Sequence, residues 1–285
     1  EHSHPICGAS HTDVGDHTGT CDNVTWTAWD GTDMDTNADD IQLTAGHYYL
    51  SDNVTLDSTI EISGEVYLCL NGCTLSYSKY VSGDSNSVGG MVLLDNSAVL
   101  NVCDCKGDGN IVHDYNYDSN WRKSTVRVKR GSTLNLYGGS VIMERGKEVA
   151  AVDLDYDTGA NFYMYGGKVE NKSTHYDPYS TYAVHVYGNS SQDSGSNVKI
   201  YGGEIICKNG YGIRVFYKAH PSILVAGGKI ESGNKAIEVS YAALTLQGKP
   251  TISTTDQDYA AIGFSQSSPL IKVTSDFAPE TPVSV

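Results

Sequence analysis

The chain has 285 residues, with 30 glycines, 20 tyrosines and a formal net charge of −15. That acidity argues against nucleic acid or an anionic membrane as a partner, and no apolar run is long enough to span a bilayer. The mix of Gly, Tyr, Ser, Thr, Asn and Val suits strands and turns rather than helices, at a length that can bury one continuous core.

Residues 1–31 read as a cap distinct from the remainder of the chain. His2, His4, His11 and His17 share the first 21 positions with Cys7 and Cys21. His4-x2-Cys7 and His17-x3-Cys21 have the pair spacing of a tetrahedral zinc site. The segment has almost no apolar side chains, so a metal would supply the ordering energy that burial cannot. The expected ligands are His4, Cys7, His17 and Cys21, with His2 and His11 as alternates. A Cys7–Cys21 disulfide and an unoccupied polar tail are the competing readings. Trp26 and Trp29 are expected to cover the open end of the next region.

A second cysteine group comprises Cys69, Cys73, Cys103 and Cys105. Aligning the two stretches sets Cys69 beside Asn101, Asn71 beside Cys103, and Cys73 beside Cys105. Leu68, Leu70, Leu100 and Val102 then face inward, which turns Cys69, Cys103 and Cys105 outward together. Four such thiols can bind one zinc, pair as two disulfides, or stay free. Cys207 stands apart and reads as a buried structural thiol.

The series His4-Pro-Ile-Cys-Gly8, Trp26-Thr-Ala-Trp29, Thr44-Ala-Gly-His-Tyr-Tyr-Leu50, Tyr67-Leu-Cys-Leu-Asn-Gly72 and Val102-Cys-Asp-Cys-Lys-Gly107 resembles the N-terminal part of large surface proteins of gut Clostridia and related Firmicutes. The likeness covers residues 1 to 112 in motif detail. It implies a right-handed parallel β-helix, secretion and display at the cell surface, and supplies no catalytic residues. Glu1 without a signal peptide reads as a trimmed start.

From about Leu100 onward one unit recurs. Its apolar/polar phrases start at Leu134, Phe162, Val198 and Ile223 and end in Gly-Gly, with a degenerate copy at Leu244, so the offsets are 28, 36, 25 and 21 residues. Periods of this size indicate a solenoid. A strand precedes and another succeeds each phrase, giving coils of three strands and an all-β parallel β-helix over residues 32–275. Residues 276–285 read as a linker, making the chain a monomeric piece of a larger multidomain protein.

Outward positions of the first strand form two ladders, Arg127-Asp153-His185-Arg214-Glu238 and Lys129-Asp155-Tyr187-Phe216-Ser240. The second strand offers Tyr137, Tyr163, Tyr165 and Tyr201. Insertions carrying Tyr115, Trp121, His175 and Tyr179 leave at one corner, where solenoids commonly build a binding face. The expected ligand contacts are therefore Tyr115, Trp121, Arg127, Asp153, Asp155, His175, Tyr179, His185, Tyr187, Arg214 and Phe216. This arrangement points to an extracellular, adhesin-like module that recognises a glycan or host protein. The rival readings are a polysaccharide-cleaving glycosidase or lyase, with Asp153, Asp155 and Arg214 as catalytic candidates and calcium as a lyase's ion, and a structural stalk.

Overall fold

The computed structural model describes residues 2–6, 22–32, 34, 40–77, 89–114, 123–155, 159–174, 180–187, 195–216, 220–264, 270–279 and 281–285. These form 26 strands and no α-helix. The chain opens on an antiparallel hairpin of β1 (His2–Pro5) and β2 (Asn23–Trp29), with His2 opposite Trp26 and His4 opposite Val24. β2 then lies parallel to β3 (Ile41–Leu50). β4 (Val54–Leu56) comes next, and β5 (Ile60–Cys69) runs parallel to β3.

After β6 (Thr74–Tyr77) a unit of three strands is established as β7 (Gly89–Leu94), β8 (Val99–Cys103) and β9 (Asn110–Asp114). It repeats as Lys123–Val128, Thr133–Leu136 and Ser140–Arg145, and so on down the chain. From β6 onward the strands pair in parallel with the strand three places later, not with their neighbours in sequence. The first and second strands of the units share an 18-stranded sheet, and the third strands form an 8-stranded one. The fold is all-β, parallel and β-helix-like.

Side-chain alternation explains the stacking. Val126, Val152, Val184, Ile213 and Ile237 lie in register along the first strands. Leu134, Phe162, Val198, Ile223 and Leu244 do so along the second. All ten are fully buried, so the core is a set of apolar rungs. The Gly-Gly phrase turns the corner between second and third strands. Gly167, Gly203 and Gly228 have φ of +73°, +80° and +75°. A Cβ at Gly167 would lie 2.5 Å from the Gly139 carbonyl oxygen, and one at Gly203 2.6 Å from that of Gly167. Backbone rests on backbone at this corner, which leaves no room for a side chain.

The pairing corrects one sequence alignment. Cys69 sits opposite Cys103 and Tyr67 opposite Asn101, two residues away from the expected match. Both registers keep Leu68, Leu100 and Val102 facing inward, so an apolar pattern of period two cannot choose between them. The Cys73 thiol lies near the carbonyls of Leu50 and Asn71 at 3.6 Å each. At the other end Phe277 and Val283 pack on the core. The Ala278 N–H donates to Gly248 O at 2.7 Å, so this part of the 276–285 segment lies against the last strands.

Candidate metal centre

The β1 hairpin folds back over the sheet where β5 and β8 end. Alternation puts His2 and His4 on one side of β1. Beneath them are Cys69, at the end of β5, and Cys105, in the turn beyond β8. One donor atom from each of His2, His4, Cys69 and Cys105 lies within 4.8 Å of every other, a group that could hold a metal ion. The two histidine Nε2 atoms approach to 3.0 Å, and Cys105 Sγ is 3.8 Å from His2 Nε2. Donors on a tetrahedral zinc would be about 3.3–3.8 Å apart, given bonds of 2.0–2.3 Å. The four groups fit such an ion with small adjustments.

Packing around the site orients the ligands. His4 Nδ1 is 2.7 Å from Pro5 O; a carbonyl can only accept, so Nδ1 carries the proton and Nε2 keeps its lone pair for a metal. The His4 ring stacks on Trp26 at 4.6 Å and the His2 ring on Tyr49 at 4.2 Å. Ile6, Trp26, Cys69 and Cys103 form a small buried cluster separate from the main core. Asp104 pins the turn that carries Cys105: its carboxylate accepts from Gly72 N at 2.7 Å and Gly109 N at 2.6 Å.

The thiols are unequal. The interaction with Cys103 outweighs burial and draws Cys69 below the usual thiol range. The same interaction holds Cys103 well above that range. Burial, then the charge on Cys69, pushes Cys105 up to about 12. A bound cation would reverse that last effect, since coordination deprotonates a thiol.

Of the residues expected to bind metal, His4, Cys69 and Cys105 meet here with the alternate His2. Cys103 sits opposite Cys69 on the adjacent strand, and neither Cys103 nor Cys73 is among the four convergent donors. Cys7, His11, His17 and Cys21 lie outside the described residues. The participation of His2 could have been read from His2-x-His4, a spacing that puts both rings on one face of a strand.

The first-strand ladder has the expected register from Arg127 through Asp153, His185 and Arg214 to Glu238. It is not an open surface. Arg127, Asp153 and Asp155 are each 2% exposed and His185 3%. Arg127 is hydrogen-bonded to Asp155 and lies 3.8 Å from Asp153, whose other oxygen is 2.8 Å from His185 Nδ1. His185 stacks on Tyr182, and Arg214 lies over the Tyr211 ring at 4.6 Å and the Phe216 ring at 5.0 Å. Half-buried Tyr187 stacks on Phe216 at 5.8 Å. Tyr115, Trp121, His175 and Tyr179 lie outside the described residues. On the second face Tyr137, Tyr165 and Tyr201 stack with centroids 4.8 and 5.3 Å apart. Stacked rings cover one another's faces, so this row presents edges and hydroxyls rather than sugar-binding planes. No protein-family model, curated protein or solved structure matches the chain.

Proposed function

We propose that the chain is a right-handed parallel β-helix of three-strand coils, displayed outside the cell, which holds a structural zinc at its amino-terminal end and presents a binding surface for a glycan or host protein. The parallel pairing of strands with their third successors from β6 onward supports the winding. The His2, His4, Cys69 and Cys105 donors support zinc, because two thiolates and two imidazoles in tetrahedral reach suit that ion best.

The observation that carries a binding rather than a cleaving role is the state of Asp153 and Asp155. Both carboxylates are buried against Arg127. A glycosidase needs one carboxyl held as an acid and another open to the sugar or its water. Neither condition is met by a charge-paired, covered ladder. Binding would then fall to the aromatic insertions and to the neighbouring edge formed by Tyr187, Arg214 and Phe216. Glycan-array and host-protein binding by wild type, Trp121→Ala and Tyr179→Ala tests this, alongside a reducing-end assay on mucin and plant polysaccharides. Loss of binding in the two variants at unchanged Tm is expected. Release of reducing ends, abolished by Asp153→Asn, would establish the enzyme instead.

A further inference from the structure

Among the described residues, Cys69, Cys103 and Cys105 lie at the metal centre, and of these Cys69 and Cys105 belong to the convergent donor group. Cys103 is the remaining one. It is the register partner of Cys69 on the adjacent parallel strand. Neighbouring strands lie about 4.8 Å apart, within the Cα separation of about 4.4–6.8 Å that a disulfide spans. Both residues are buried, at 0% and 1% exposure, in one small cluster apart from the main core. Cys105, by contrast, sits in the turn past the strand end, is exposed, and lies 3.5 Å from Asn71 Oδ1. Cys69 thus belongs to the donor group and also faces a second sulfur across the strand pair.

We propose that this is an oxidant-sensitive metal site, in which a peroxide joins Cys69 to Cys103 as a disulfide, expels the ion and frees the β1 hairpin; the proposal rests on the zinc reading above. The Cys69 thiolate attacks one peroxide oxygen and displaces hydroxide, giving a sulfenic acid. The Cys103 sulfur attacks that sulfenic sulfur, and its proton leaves with the hydroxyl as water. The displaced hydroxide takes one proton from solvent. Two cysteine sulfurs have lost two electrons, the peroxide O–O bond has broken, and two waters are formed. Cys69 no longer has a thiolate to offer, so the ion keeps three donors and dissociates. A thiol reductant with zinc reverses the change.

The test uses reduced protein loaded with one equivalent of zinc and titrated with hydrogen peroxide. Released zinc is tracked with a chromogenic chelator, and disulfides are mapped by peptide mass spectrometry. The expected result is one zinc released per Cys69–Cys103 disulfide formed. Cys103→Ser should bind zinc with the wild-type stoichiometry when reduced, and release it at least tenfold more slowly. A map that joins Cys69 to Cys105, or wild-type release from Cys103→Ser, overturns the proposal. If Cys103→Ser does not fold, the wild-type map decides alone. Reduced wild type that takes up no zinc overturns the metal reading itself, a result distinct from zinc-loaded protein that is indifferent to peroxide.

Discussion

Replacing His4 by alanine should undock the β1 hairpin and leave the rest of the chain intact. His4 supplies one of four donors and stacks on Trp26. An ion present at a hundred times its dissociation constant stabilises the state that binds it by about 2.7 kcal/mol, a hundredfold change in the docked-to-open ratio. The lost ring stacking adds about 0.5–1.5 kcal/mol. Amide protection over Asn23–Trp26, which pairs with β1, should therefore fall about a hundredfold on zinc removal and somewhat more in His4→Ala. Because each unit of a stacked fold touches only its neighbours, protection beyond Lys123 should not change. Hydrogen exchange read by mass spectrometry on zinc-loaded, chelator-treated and His4→Ala protein checks this. Equal protection in all three, or a loss spread evenly to the last strands, would refute the idea of a local metal staple.

Three further outcomes are expected. Gly203→Ala forces a side chain into φ +80° and against the Gly167 carbonyl, and should cost at least about 1–3 kcal/mol by denaturant titration, whereas Lys199→Ala should stay within about 0.5 kcal/mol. Asp153→Ala leaves Arg127 and His185 without a shared buried carboxylate and should lower stability by about 3–5 kcal/mol; a change under about 1 kcal/mol would mean the ladder is solvated. Burial holds His113 down at about 4, below its unfolded value of about 6.5. The unfolded chain then binds the extra proton between about pH 6.5 and 4, so stability is complete above that window and falls by roughly 3 kcal/mol across it. His113→Phe should flatten that part of the urea-midpoint profile, and an unchanged slope would assign it to other groups.

The repeating unit was legible because its rungs obey two simple rules, apolar alternation and a glycine pair at the corner. Whole ladders could be named from it, Arg127 to Glu238 among them. The match of Cys69 to Cys103 was not legible, because registers that differ by two residues bury the same side chains. Alternation also says which side of a strand a residue takes, not what lies above it. Arg127 and Asp155 face away from the core as expected and are nevertheless covered. The metal centre was half visible: the cysteines and histidines stood out as ligand types, but their meeting depends on a hairpin that brings His2 against Cys105, a separation that spacing motifs do not encode.

The pairing of the repeated strands with their third successors has an evolutionary consequence. Contact partners along the rungs sit 28 to 36 positions apart through Leu134, Phe162 and Val198, and the interval is set by loop length, not by the strands. Loops can therefore lengthen or shorten between homologues without disturbing a rung. A substitution inside a rung, however, alters the surface against which two other segments are selected. Descent should thus record itself as correlated changes between columns whose separation drifts from one homologue to the next. Such a signal would be smeared by counting at a fixed interval and restored once the corner glycines are superposed.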